Sequence, residues 1–225
     1  MQDREFLSLL GRITDIPKLL YDPEYVGGGT HENLDGQELD THVDFNYHPR
    51  GRLHRRLNLI VFLNPEWEAA WGGCLELLRD PWATEKQVVV PRANRAVIFE
   101  TTESSWHGFR RIQLPPGKDI SRRTIAVYFY TEDRPPRHTA ASHGTVYFQR
   151  PLPERLEPGF TLSEQDIEEI QGLVARRDKQ IQFLYDRERE FSEAIENLTS
   201  SPSFRIGRVL TWPGRALRTL WKHHQ

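Results

Sequence analysis

His42 and Asp44 sit two residues apart in the run Thr41-His-Val-Asp-Phe-Asn46, and His107 stands in Trp106-His-Gly108 more than sixty residues later. In an extended strand, residues i and i+2 point to the same face, so His42 and Asp44 can aim two donors at one point. A distant histidine, brought alongside by a closed sheet, completes a face of two imidazoles and one carboxylate. Such a face occupies three of six octahedral positions on a divalent metal and leaves three open, the donor set that suits non-haem Fe(II) chemistry. A second strand, Ser121-Arg-Arg-Thr-Ile-Ala-Val-Tyr128, puts Arg122 and Thr124 on one face. They offer a planar guanidinium fork beside a hydroxyl, suited to a carboxylate held near the metal. Arg123 points the opposite way. Taken alone, a His-X-Asp such as His42 and Asp44 is more often a hydrogen-bonded surface pair than a ligand pair, and short matches arise by chance in a chain with nine histidines.

The elements that must position these residues are short and punctuated. Strands are predicted over 41–46, 57–63, 73–78, 87–90, 95–100, 106–110 and 122–131, separated by His48-Pro-Arg-Gly51, Asn64-Pro65, Arg92-Ala-Asn94 and Leu114-Pro-Pro-Gly117. Many short strands with Gly/Pro breaks suggest a sandwich or barrel. Ahead of them, a helix is expected over 5–10, a second piece over 13–20 is broken by Pro17, and 27–40 reads as a loop. Four segments follow: a domain over 1–135, a Pro-rich linker over 136–160, a long helix over 161–199 and a basic tail over 200–225. His48 and His54 lie among Arg50, Arg52, Arg55 and Arg56 and read as a solvated basic turn.

Ser163 is a suitable N-cap for the long helix. From Ile167 its pattern is heptad: Ile167, Val174, Ile181, Glu188 and Ile195 at a, and Ile170, Arg177, Leu184, Phe191 and Leu198 at d. That pattern predicts either a coiled-coil seam or a helix docked on an outer sheet. β-branched residues at a lean toward a parallel homodimer through 163–199. The tail from Ser201 carries five Lys/Arg and no acid, with Trp212 and Trp221 among its apolar residues. Such a tail is expected either at an anionic membrane surface or partner protein, or folded back on the acidic helix.

A net charge of −2 gives no global basic field and argues against nucleic acid. One cysteine, Cys74, excludes an internal disulfide and suits a reducing compartment. No apolar run is long enough to span a bilayer. The expectation is a cytoplasmic protein, peripheral to the inner membrane if the tail binds lipid.

The chain resembles the prolyl-hydroxylase-type 2-oxoglutarate/Fe(II) dioxygenases. The resemblance runs through His42-Val-Asp44, Arg55-Arg-Leu-Asn58, Phe62-Leu-Asn64-Pro-Glu-Trp67, Gly72-Gly-Cys-Leu-Glu-Leu77, Phe99-Glu-Thr101, Trp106-His-Gly108 and Arg122-Arg-Thr124, in order across roughly 25–132. It implies a mainly β fold, a double-stranded β-helix or jelly roll, here with a C-terminal α-helical, coiled-coil extension. It implies Fe(II) on His42, Asp44 and His107, and 2-oxoglutarate on Arg122, helped by Thr124 and walled by Leu75. Ascorbate is an accessory reductant in this reading. The implied reaction couples oxidative decarboxylation of 2-oxoglutarate, to succinate and CO2, with hydroxylation of an unactivated C–H. Retention of Asp44 favours hydroxylation over halogenation.

Two family tyrosines are replaced: Phe62 stands where one precedes the Leu-Asn, and the region of the other offers His31 or Glu32, with His31 taken as the substitute. The substrate class stays open between a prolyl residue of a protein and a small molecule. The stretch Ser203 to Arg215 also resembles tails of bacterial surface-polysaccharide enzymes, which keeps a saccharide precursor among the candidates. The competing reading is a non-catalytic metal-binding jelly roll that presents its helix and tail to an assembly.

Overall fold

The computed structural model describes residues 2–153 and 155–210, with the side chain of Val209 excepted. The chain divides into two compact units, the first ending at Arg150 and the second beginning at Pro151. The first is built on two antiparallel sheets. One has the order β1-β9-β4-β7, with β2 also pairing β9: β1 is Leu20–Tyr21, β2 Gly29–Asn33, β4 His54–Phe62, β7 Arg95–Glu100 and β9 Arg122–Thr131. The other runs β10-β3-β8-β5-β6, with β3 Leu39–Val43, β5 Leu75–Leu78, β6 Gln87–Val89, β8 Trp106–Phe109 and β10 Val146–Tyr147.

Strand alternation decides what each face of the first sheet does. Leu57, Leu59, Val61, Ile125, Val127 and Phe129 form the outer face. Helix α1, Arg4–Thr14, covers it with Phe6, Leu7 and Leu10, joined by Ile16 and Leu19. Asp3 caps α1 by accepting from the Phe6 N–H at 2.8 Å. The helix ends where Asp15 turns left-handed, φ 55°, so it is one continuous piece rather than two. Asn58, Ile60, Phe62, Arg122, Thr124, Ala126 and Tyr128 take the other face, toward the site.

Three expectations need correction. The predicted loop over 27–40 contains β2, because its backbone finds ladder partners on β9 from Gly29↔Ala126 to Asn33↔Arg122. The Arg-rich stretch is a solvated turn only around Arg50 and Arg52. β4 begins at His54, and Arg55 and Arg56 are only 1% and 7% exposed. Even His48 lies in a buried setting, its Nε2 3.5 Å from Asp22 and its ring edge-on to Tyr130. Finally, the first unit extends past the expected boundary at 135, since Val146 and Tyr147 pair with Val43 and His42.

In the second unit, α2 runs Glu164–Ser200 behind a full capping box between Ser163 and Asp166. Asp166 also binds Arg155 at 2.8 Å. Helix α3 spans Pro202–Leu210. The remainder of the predicted tail, including Trp212, Arg215 and Trp221, lies outside the described residues. Among the described residues no helix is long and apolar enough to cross a membrane.

Candidate active site

β3 and β8 lie side by side with His42 opposite His107, so the two imidazoles share a face, ring centroids 4.3 Å apart. Asp44 follows two residues later, just past the end of β3. Its Oδ1 is 3.8 Å from His42 Nε2 and its Oδ2 is 3.4 Å from His107 Nε2. One donor atom from each of the three lies within 4.8 Å of the others, and all three residues are buried. Cis donors bound at about 2.1 Å to one octahedral ion stand about 3 Å apart, so small side-chain adjustments fit this set to a metal.

Each imidazole is oriented from behind. His42 Nδ1 donates to the Asp40 carbonyl at 2.8 Å and His107 Nδ1 donates to the Ser105 carbonyl at 3.0 Å. A carbonyl only accepts, so the proton sits on Nδ1 and the Nε2 lone pair is left for a metal. Burial, then the neighbouring His42, pushes the His107 pKa down to about 4, which keeps that lone pair free of a proton.

Asp44 is held by two groups that its own strand does not supply. Asn58 Nδ2 donates to Oδ2 at 2.7 Å and Arg55 Nη2 lies 3.0 Å from the same oxygen. Asn58 Oδ1 in turn accepts from Arg55 Nε and Nη2, at 3.1 and 2.9 Å. The guanidinium lies between the rings of Phe45 and Tyr128, 4.3 and 3.5 Å from their centroids. Burial would raise the Asp44 pKa. The charges of Arg55, His107 and His42 and the Asn58 hydrogen bond outweigh it and hold the carboxyl below its usual range.

Sequence reasoning missed Arg55 in this role for a definite reason. The ladder between β4 and β9 slips between Arg55 and Leu57, a bulge that turns Arg55 to the face of Asn58. Strict alternation would have put it outside with Leu57.

Arg122 is 4% exposed, on the inner face with Thr124 and Ala126. Its Nε donates to the Gly73 carbonyl at 2.6 Å, and its guanidinium stands 4.3 Å over Phe109, two residues along β8 from His107. Burial lowers its pKa to about 10, still charged at neutral pH. Gly73, at positive φ, allows this approach, since a Cβ there would stand 3.3 Å from Arg122 Cδ and 3.0 Å from Ile112 Cγ1. Gly72, also at positive φ, lets the chain pass the Arg111 carbonyl, whose oxygen a Cβ would meet at 2.0 Å. Arg123 faces outward and pairs with Glu32 at 3.0 Å.

The other expected cofactor-side residues converge on the same region. Leu75 is buried and opposite Phe109, hence on the His107 face. His31 sits opposite Thr124 on β2 and keeps much of its surface in solvent; the partial desolvation of its ring, then the Arg122 charge, lowers its pKa. Phe62, opposite Thr124 from β4, is buried.

A further inner-face residue is Tyr147. It pairs with His42, its ring is 5.2 Å from the His42 ring, and it is 38% exposed. Nearby, a cleft is lined by Tyr47, His48, Arg52, His54, Glu132 and Ala141.

Residues 29–130 match the family model of the 2OG-Fe(II) oxygenase superfamily. The prolyl 3-hydroxylase OGFOD1 of Mus musculus is 31% identical over 105 residues, 44% of this chain and 17% of that protein. The chain therefore spans only a small part of that relative. Among solved structures, a Pseudomonas putida prolyl-4-hydroxylase is 17% identical, with a TM-score of 0.38 over 56% of this chain and 62% of the other. A Phytophthora capsici prolyl 4-hydroxylase is 16% identical, with a TM-score of 0.40 over 78% and 50%.

Proposed function

We propose that the chain is a 2OG-Fe(II) oxygenase of prolyl-hydroxylase type that hydroxylates an unactivated C–H of a prolyl residue in a protein or peptide. The match of residues 29–130 to the family model and the similarity to a prolyl 3-hydroxylase support this reading. The observation that carries the proposal is the buried His42–Asp44–His107 set facing a buried, charged Arg122 with Thr124 beside it. A retired metal site has no need of an inward guanidinium fork, so this pairing favours catalysis over the non-catalytic assembly reading.

In this reading His42, Asp44 and His107 hold Fe(II), and Arg122 with Thr124 takes the distal carboxylate of 2-oxoglutarate. The iron and cosubstrate, when bound, supply the oxidising power for hydroxylation, with succinate and CO2 as coproducts. The chain supplies the rest. The Asp40 and Ser105 carbonyls fix both imidazoles with Nε2 forward. Arg55 and Asn58 hold Asp44 ionised and oriented. Leu75, Phe62 and Phe109 exclude water around the Arg122 fork, which strengthens its hold on an anion. Tyr147 gives the open side of the site an aromatic face suited to packing against a pyrrolidine ring.

Succinate release from 2-oxoglutarate, with and without Fe(II) and a proline-containing peptide, tests this. Metal-dependent succinate formation stimulated by the peptide, and lost in His107→Ala, is expected. No succinate above the His107→Ala background would refute the catalytic reading. Metal-dependent succinate that no proline peptide stimulates would refute only the substrate class.

A further inference from the structure

Helix α2 is 37 residues long, about 55 Å at 1.5 Å per residue. Along it the apolar seam stands in the open: Ile167, Val174, Ile181, Leu184, Phe191, Ile195 and Leu198 are each between 43% and 61% exposed. A stripe of that length on one helix is more apolar surface than a soluble chain leaves uncovered. Two charged residues interrupt it, Arg177 at a d position and Glu188 at an a position. Their placement says what covers the stripe.

In a parallel, in-register pair every layer meets its own copy, so Arg177 would face Arg177 and Glu188 would face Glu188 within the seam. Two like-charge layers in a core oppose that arrangement. In an antiparallel pair each a position faces a d position of the other chain. A two-fold axis between Gln182 and Phe183 then matches every layer: Ile167 with Leu198, Ile170 with Ile195, Val174 with Phe191 and Ile181 with Leu184. The same axis sets Arg177 opposite Glu188, twice over by symmetry. The flanking positions bring no like charges together, since Gln180 meets Arg187 and Asp178 meets Tyr185.

We propose that α2 is the interface of an antiparallel homodimer, in which Arg177 of each copy pairs with Glu188 of the other and fixes register and direction. The occupant of the seam is thus a second copy of this chain. The charged pair contributes specificity, because any other register or direction leaves a charge among apolar side chains. This inference is independent of the catalytic reading and stands or falls by association alone.

Sedimentation equilibrium of the full chain, with charge reversal and cysteine pairing, tests it. Arg177→Glu or Glu188→Arg alone should weaken the dimer about tenfold or more, and the double exchange should restore it. A parallel pair predicts no loss in either single variant and no rescue. In a Cys74→Ser background, Ile170→Cys and Ile195→Cys in one chain should cross-link between copies on oxidation. Ile170→Cys alone should not, because the two copies of position 170 would lie about 37 Å apart. A monomeric full chain, a failed rescue, or efficient cross-linking of Ile170→Cys to itself would each overturn the proposal. The first of these would leave the seam to a different protein.

Discussion

Arg55 and Asp44 form a buried ion pair, Nη2 to Oδ2 3.0 Å, in which the cation stands behind the carboxylate that a metal would approach from the front. The arginine is 1% exposed and the aspartate side chain 9%. The pair therefore lets the site persist with its carboxylate charged whether or not a cation is bound. Removing the arginine leaves a buried charge without its counter-ion, at a cost of about 3 kcal/mol or more. Arg55→Met should accordingly lower the melting temperature of chelator-treated protein. Added Mn(II), a redox-inert stand-in for iron, supplies the missing positive charge. It should raise the midpoint further in the variant than in the parent chain. Scanning calorimetry with EDTA and with Mn(II) decides it. A variant that melts like the parent under chelation contradicts this account of Arg55.

The depressed pKa of His107 makes the apo protein sensitive to acid. Its folded value is about 4 and its unfolded value is the ordinary 6.5, so between them the unfolded chain binds the extra proton. Stability from this group is fully present above pH 6.5 and falls as pH drops toward 4, by up to about 1.4 kcal/mol per unit. Asp44, held below its usual 3.8, acts in the same direction lower still, its contribution being lost as it protonates. Urea denaturation of chelated protein across pH 4 to 7 should show this decline, and His107→Gln should flatten it. An unchanged slope in that variant refutes the assignment.

Arg122 and Arg123 are neighbours with opposite fates, 4% exposed against a side chain 62% exposed. Arg122→Lys replaces a planar fork with a point charge and should weaken 2-oxoglutarate binding by roughly 30-fold, about 2 kcal/mol. Arg123→Ala should leave it within about twofold, since a surface pair contributes under about 1 kcal/mol. Isothermal titration with Mn(II)-loaded protein measures both. Equal losses in the two variants would mean that the fork is not the cosubstrate anchor.

Asn46 fastens the segment that carries Tyr147 past the metal strand. Its Nδ2 donates to the Ala141 carbonyl at 2.8 Å, and its Oδ1 accepts from the His143 N–H at 3.0 Å. Beyond it, Phe148 N–H donates to the Thr41 carbonyl at 2.8 Å. Asn46→Ala should cost about 1–3 kcal/mol through the lost bonds. The loss should appear locally, as faster amide exchange at 143–148 with β4 and β9 unchanged. Exchange that rises everywhere equally would instead mark Asn46 as a global core residue.

The resemblance and the local patterns carried different amounts of this architecture. β7 and β9 fall where alternation and turn residues set them, Arg95–Glu100 and Arg122–Thr131. The α2 start follows from Ser163 and Asp166, three residues apart. β2 was harder to see, because Gly29–Asn33 carries little apolar periodicity, whereas β10, Val146–Tyr147, falls inside the stretch 145–149 whose residues already suit extended backbone. Both are strands because β9 and β3 offer open edges to pair with. Trp82 is 69% exposed, with its ring edge-on to Phe148.

By itself the sequence determined which residues share a strand face: His42 with Asp44, and Arg122 with Thr124. That information is local, fixed by the two-residue repeat of extended backbone, which Asp44 continues just past the end of β3. Only the tertiary structure decided that His107 lies opposite His42, that a bulge swings Arg55 behind Asp44, and that Tyr147 flanks the metal strand. Those relations depend on pairing between segments far apart in the chain. A buried charge such as Arg55 is tolerable only once its distant partner is in place, and no local pattern records that partner.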